Sequence, residues 1–202
     1  MKHRPLYGHQ AGAQVGYNPH KRGRPSHTHH SYSMANTRLV LEVEVQAGDQ
    51  TQSAHSMPGL LDLLKRLPQD NQPAFIRGDC DWGNGPVMDE LEAVGQHYLF
   101  KLKRSQRIKA LIAQVHGQGE WTRFDQDWEL KESTLQLQGW GKSRRVVVAR
   151  RRLPKDTLLG LEYRQNGQQE LALVDGPEDM RLYEYSVLVT NLAVDVVALM
   201  KH

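Results

Sequence analysis

From Leu39 to Gly117 the chain alternates between strand-like and helix-like periodicity, and from Glu120 to Asn191 only the strand-like period persists. That switch constrains the fold more than any other feature. Leu39, Leu41, Val43 and Val45 alternate with Val40, Glu42 and Glu44, the pattern of a strand half-buried on one face, and Gly48-Asp49 ends it. Ser56 is placed as an N-cap and Pro58 in the first turn of a helix whose apolar face is Leu60, Leu61, Leu64 and Leu67. A short strand at 74–76 runs into Arg77-Gly78-Asp79-Cys80. Asn84 and Pro86 open a second helix carrying Val87, Leu91 and Val94. A strand at 97–102 follows, then a helix marked by Ile108, Leu111, Ile112 and Val115.

This order predicts an α/β fold with a central mixed sheet covered by helices. The sheet is expected to join 38–45, 74–77, 98–102 and 183–190, with helices near 57–67, 86–95 and 104–116. After Glu120, alternating runs at 122–130, 134–140, 145–152, 158–164 and 170–174 read as antiparallel strands, and a helix begins at 194–200. Residues 8–33 are rich in Gly, Pro, Asn, Ser and His without a period, and read as a long loop or open hairpin.

At 39% hydrophobic and 24% charged, the composition is that of a soluble globular protein. No apolar run approaches the roughly 18 residues of a membrane span, and no apolar segment follows the basic N-terminus as a secretory signal would require. The lone Cys80 excludes a disulfide framework and fits a cytosolic compartment. The net charge of +3 decides little, but its distribution is uneven. Met1 to Leu41 holds no Asp or Glu, yet carries Lys2, Arg4, Lys21, Arg22, Arg24 and Arg38, with His3, His9, His20, His27, His29 and His30. Other basic clusters are Lys101, Lys103, Arg104, Arg107 and Lys109, and the run 142–155 with Lys142, Arg144, Arg145, Arg150, Arg151 and Arg152. Such clusters point either to a polyanionic partner, through counterion release, or to solvated faces balanced by acids elsewhere.

Several motifs are long and specific: Pro5-Leu6-Tyr7-Gly8-His9-Gln10, Gly16-Tyr17-Asn18-Pro19, Gly23-Arg24-Pro25-Ser26-His27, Phe75-Ile76-Arg77-Gly78-Asp79 followed by Gly83-Asn84, Gln138-Gly139-Trp140, and Tyr183-Glu184-Tyr185 before Val189-Thr190-Asn191-Leu192. Together they resemble the insertion-sequence transposases of the 1380 family, over nearly the whole chain. The resemblance implies a DDE-type catalytic domain with a ribonuclease-H-like mixed sheet, flanking helices and an antiparallel β-rich insertion. It implies a core at 1–118, the insertion at 119–180, and a return strand with the start of the final core helix at 181–202.

It also implies a chemistry. Such enzymes cut a phosphodiester with two divalent cations, Mg2+ or Mn2+, that activate the attacking oxygen and stabilise the leaving one. Hard cations take oxygen ligands, so carboxylates hold them. The family supplies an Asp on the first core strand, an Asp after the fourth and a Glu on the last helix. Asp79 matches the second and is the catalytic and metal-binding candidate; Gly78-Asp79 is also ordinary turn chemistry. The other two have no counterpart in this pattern, and Glu184 and Asp195 do not match them by position. The resemblance therefore implies a piece truncated at both ends and inactive alone.

Double-stranded DNA at transposon ends is the implied partner, in the bacterial cytoplasm near the nucleoid, with no membrane. The candidates for contacting it are Lys21, Arg22, Arg24, His27, Trp82, Lys103, Arg104, Trp140, Lys142, Arg144 and Arg145. Trp82 and Trp140 could stack bases or simply pack. His27, His29 and His30 lack the spacing of a structural zinc site and suit DNA or solvent better. The rival reading is a DNA-binding remnant that competes with, or pairs with and inhibits, a full-length transposase.

Overall fold

The strand at the centre of the first sheet has almost no apolar side chain. The computed structural model describes residues 2–5, 8, 10–16, 21–49, 52–154 and 178–201, which pack within two compact units, 1–73 and 74–202. In the first unit, β3 (Pro25–Ser33) pairs antiparallel with β1 (Lys2–Pro5), β2 (Gln14–Val15) and β4 (Val40–Ala47). Ser26, Thr28 and His30 of β3 are buried, and Tyr32 continues that face. The helix α1 (Gln52–Arg66) packs there: Tyr32 donates to the Ser56 carbonyl at 2.9 Å, and Gln46 to the His55 carbonyl at 3.1 Å.

Three expectations are corrected here. Of the two readings of residues 8–33, the open hairpin fits β2 and β3, but 25–33 is a nine-residue strand whose alternating buried residues are polar and leave no hydrophobic signature. The strand at 40–47 has the expected alternation, but Glu42, Glu44 and Gln46 turn toward α1, while Leu41, Val43 and Val45 are 38%, 53% and 56% exposed. Its pairing with β3 fixes that facing, since a period of two allows only two choices. The helix begins at Gln52 rather than after Ser56, and Pro58 lies inside it. Side-chain donors to the His55 and Ser56 carbonyls hold the extra turn against the sheet.

The second unit is built on a six-stranded sheet in the order β5-β6-β10-β9-β8-β7. Its strands are β5 (Ile76–Gly78), β6 (Tyr98–Lys101), β7 (Thr122–Arg123), β8 (Trp128–Leu135), β9 (Arg144–Arg152) and β10 (Tyr183–Thr190). The β5–β6 pair is parallel and the others antiparallel. Residues 38–45 were expected beside β5; among the described residues, β4 pairs only with β3. The strands at 74–77, 98–102 and 183–190 do share one sheet, and β8 and β9 extend it. The expected strand at 134–140 is instead the end of β8 and a loop. The expected strands at 158–164 and 170–174 lie outside the described residues.

Helices α2 (Gly85–Ala93) and α3 (Gln106–His116) lie on one face of this sheet, joined to it by Glu92–Tyr98 and His116–Tyr185 contacts. Asn84 and Ser105 cap them by accepting from the Val87 and Ile108 amides, as expected for these residue types. On the other face, α4 (Val196–Met200) buries Val196 and Leu199 against Leu99, Leu130, Val147 and Ala149. Asp195 caps α4, accepting from the Val197 and Ala198 amides.

The Thr190-Asn191 motif stitches β10 to the start of β6. Asn191 accepts from the Tyr98 amide at 2.9 Å and donates to the Gln96 carbonyl at 3.2 Å, while Thr190 donates to the Tyr98 carbonyl at 2.7 Å. Asn191→Ala leaves a donor and an acceptor unpaired and should cost about 2 kcal/mol. Asn191→Asp, which keeps the acceptor, should cost less. Urea unfolding with an unchanged m value checks both.

Candidate functional site

Asp79 is the first residue beyond β5, and the parallel register Gly78↔Phe100 makes the chain leave β5 and β6 side by side at their carboxyl ends. In α/β sheets that edge is where ligands gather, because no side chains of the strands fill it. The turn after β5 is tight. Trp82 donates its amide to the Asp79 carbonyl at 3.2 Å, and Asp79 Oδ1 accepts the Asp81 amide at 3.1 Å, an Asx-type turn. Gly78 permits it: a Cβ there would come within 2.8 Å of both Phe100 Cδ1 and Trp82 Cγ. Asn84 then closes the turn by donating to the Asp81 carbonyl at 2.7 Å. The result holds one exposed carboxylate at the sheet edge.

Trp82 is half-buried, its ring 6.2 Å from that of Phe100, so it anchors the turn rather than standing free. Beside it, Leu102 is held by donating its amide to the Val187 carbonyl at 2.8 Å, and Lys103 and Arg104 project exposed from the same loop. Asp79 and Trp82 thus follow β5, and Lys103 and Arg104 follow β6, at the same edge of the sheet.

The other candidates are elsewhere. Trp140, Lys142, Arg144 and Arg145 lie at the opposite end of the sheet, since Arg145 pairs with Thr190 at the carboxyl end of antiparallel β10. Lys142 and Arg145 border an open cleft of about 510 Å³ there with His97 and Asn191. Trp140 is 6% exposed, and the Arg144 side chain is 3% exposed with its guanidinium 5.5 Å from the Trp140 ring. Neither is available to a DNA surface as the sequence reading has them. Gly85 lets this loop approach α2: a Cβ there would sit 2.1 Å from the Gly139 carbonyl oxygen. In the first unit, Lys21, Arg22 and Arg24 are exposed before β3, and the ring Nε2 of His27 is 3.1 Å from the Ala11 carbonyl oxygen.

Two networks were not legible in the sequence. In one, Arg144 pairs with Asp89 and Glu92, Lys142 with Glu92, and the Tyr98 hydroxyl donates to Glu92 at 2.7 Å. Burial pushes the Glu92 carboxyl up, but the hydrogen bonds from Lys142, Tyr98 and Arg144 outweigh it and hold the group below its usual range. In the other, His116 lies between Tyr185, whose hydroxyl is 2.6 Å from Nδ1, and Asp179, 2.8 Å from Nε2. An Nε2–H donor with Nδ1 accepting satisfies all three groups. Burial pushes the Tyr185 phenol up to about 12, so it holds its proton at neutral pH. Arg150 lies over Trp121 at 3.9 Å and pairs with Glu129, and Glu184 pairs with Arg151.

The transposase DDE domain family, group 1, matches residues 2–163, and the chain belongs to that family. No curated protein matches it. Its α/β fold, with a mixed sheet, an antiparallel sheet and flanking helices, is that of a ribonuclease-H-like DDE domain. No helix among the described residues is long and apolar enough to cross a membrane.

The Glu92 network makes a checkable claim about pH. Because the folded carboxyl is held low, its contribution is complete above the unfolded value of about 4.3 and is lost as pH falls through the folded value. Glu92→Ala should cost about 3 kcal/mol at neutral pH by leaving Arg144 buried and half-paired. Below pH 4 the gap between variant and wild type should narrow in urea titrations.

Proposed function

We propose that this chain is a DDE transposase domain of the 1380 insertion-sequence family, acting in metal-dependent cleavage and transfer of DNA strands, and that Asp79 is one of its metal-holding carboxylates. The observation that supports this most is the placement of Asp79: an exposed carboxylate, in the family's Phe75–Asp79 motif, at the carboxyl edge of a parallel strand. Mg2+ or Mn2+ is the fitting class of ion, since the side chain at this edge offers hard oxygen. DNA is the substrate that the family implies. We carry 119–180 forward as the family's β-rich insertion, its described strands β8 and β9 continuing the core sheet through β10.

One carboxylate does not fit a two-ion site. Among the described residues no three His, Cys, Asp or Glu side chains converge to hold an ion. On this reading Glu184 and Asp195 do not stand in for the family's first Asp or last Glu. Asp79 with its bound waters would therefore hold a divalent ion only weakly, and the 202 residues alone would not stabilise both attacking and leaving oxygens.

Paramagnetic Mn2+ added to isotope-labelled chain tests the assignment. Amide signals of residues 78–84 should broaden first, and Asp79→Asn should abolish the effect while leaving the rest of the spectrum unchanged. Cleavage of a duplex carrying the element's ends should be undetectable. Broadening centred elsewhere, or magnesium-dependent cutting that survives Asp79→Asn, would remove Asp79 from the metal site.

A further inference from the structure

Charge runs in a sequence do not show which cations are free, and here the structure separates them. In the run 142–155, Lys142 pairs with Glu92, Arg144 with Asp89 and Glu92, Arg145 with Glu132, Arg150 with Glu129 and Arg151 with Glu184. Their positive charge is already matched within the fold. Lys101, Lys103, Arg104, Arg107 and Lys109 are different. All but the half-buried Lys109 are exposed, and among the described residues no carboxylate lies within ion-pair distance of any of them.

We propose that this 101–109 band is the track that holds the phosphate backbone of duplex DNA beside Asp79, and that Lys142, Arg144, Arg145, Arg150 and Arg151 form a structural ion-pair lattice, with Arg152 exposed at its end. The inference rests on the transposase reading for the identity of the polyanion. Two observations carry it. The band begins where β6 ends, at the same sheet edge as Asp79: a Cβ on Gly83, four residues after Asp79, would lie 3.2 Å from the Lys101 carbonyl oxygen. A strand lying along the band would thus pass the carboxylate. The band also opposes local stability. α3 has no acid in its first turn, while Lys103, Arg104 and Arg107 crowd its positive end. A local arrangement that disfavours its own helix, with no internal partner to offset it, is what a surface built for an external anion shows.

The test is duplex DNA binding across a range of salt concentrations. Each phosphate contact contributes about 0.9 to the slope of log affinity against log salt, so Lys103→Ala/Arg104→Ala/Arg107→Ala should flatten it by about 2.7. Lys142→Ala/Arg151→Ala should leave the slope as in the wild type. Far-UV circular dichroism verifies folding; the triple variant changes only exposed positions and relieves crowding at the α3 start. Salt-dependent binding by wild type with an unaltered slope in the triple variant overturns this inference and leaves the transposase reading standing. An equal loss in the double variant also overturns it. A wild-type chain that fails to bind duplex DNA at low salt overturns both.

Discussion

The second unit depends on one strand. β10 pairs along its whole length with β9, from Tyr183↔Arg152 to Thr190↔Arg145, and its last three residues pair with β6. Among the described residues it alone links the parallel β5–β6 pair to the antiparallel β7–β9 strands by backbone hydrogen bonds. Val187 and Val189 are buried on one face, and Thr190 and Asn191 lock the strand end to Tyr98. The position of Asp79 follows from that. β5 contributes only three residues and pairs only with β6, and the β6 exit loop is tied back to β10 by the Leu102 amide on the Val187 carbonyl.

Where an element's buried face is apolar, the sequence showed it. The helices α2 and α3 and the strands β6, β9 and β10 announce themselves through Val87 and Leu91, Ile108 to Val115, and runs such as Val146-Val147-Val148. β3 did not, because its buried residues are Ser26, Thr28 and His30, and a polar alternation looks like a loop. β4 showed its period but not its facing: hydrophobicity would turn Leu41, Val43 and Val45 inward, whereas the β3 ladder and the Glu42–Arg66 pair turn the acids toward α1. Periodicity identifies a strand; only its partners say which side is inside.

The candidate site divides the same way. The place of Asp79 just past a strand was legible because a motif and a strand end coincide there. The fate of Arg144 was not, because Glu92 and Asp89 are 52 and 55 residues away in sequence. The basic run from Lys142 to Arg151 proves largely internal in its electrostatics. The less conspicuous run at 101–109 keeps its charge outward. Trp140 was misjudged for a related reason: an aromatic beside a basic run suggests stacking on bases, but here the neighbouring Arg144 is the ring's own partner.

The crowding of cations at the start of α3 also gives ionic strength two opposed effects. Added salt screens the repulsion among Lys103, Arg104 and Arg107 and their conflict with the helix dipole, so the start of α3 is eased as salt rises. The same ions compete for whatever anion the band holds. Salt that eases the α3 start is therefore a poor condition in which to look for its ligand, and that helix end is least comfortable where the band is most receptive.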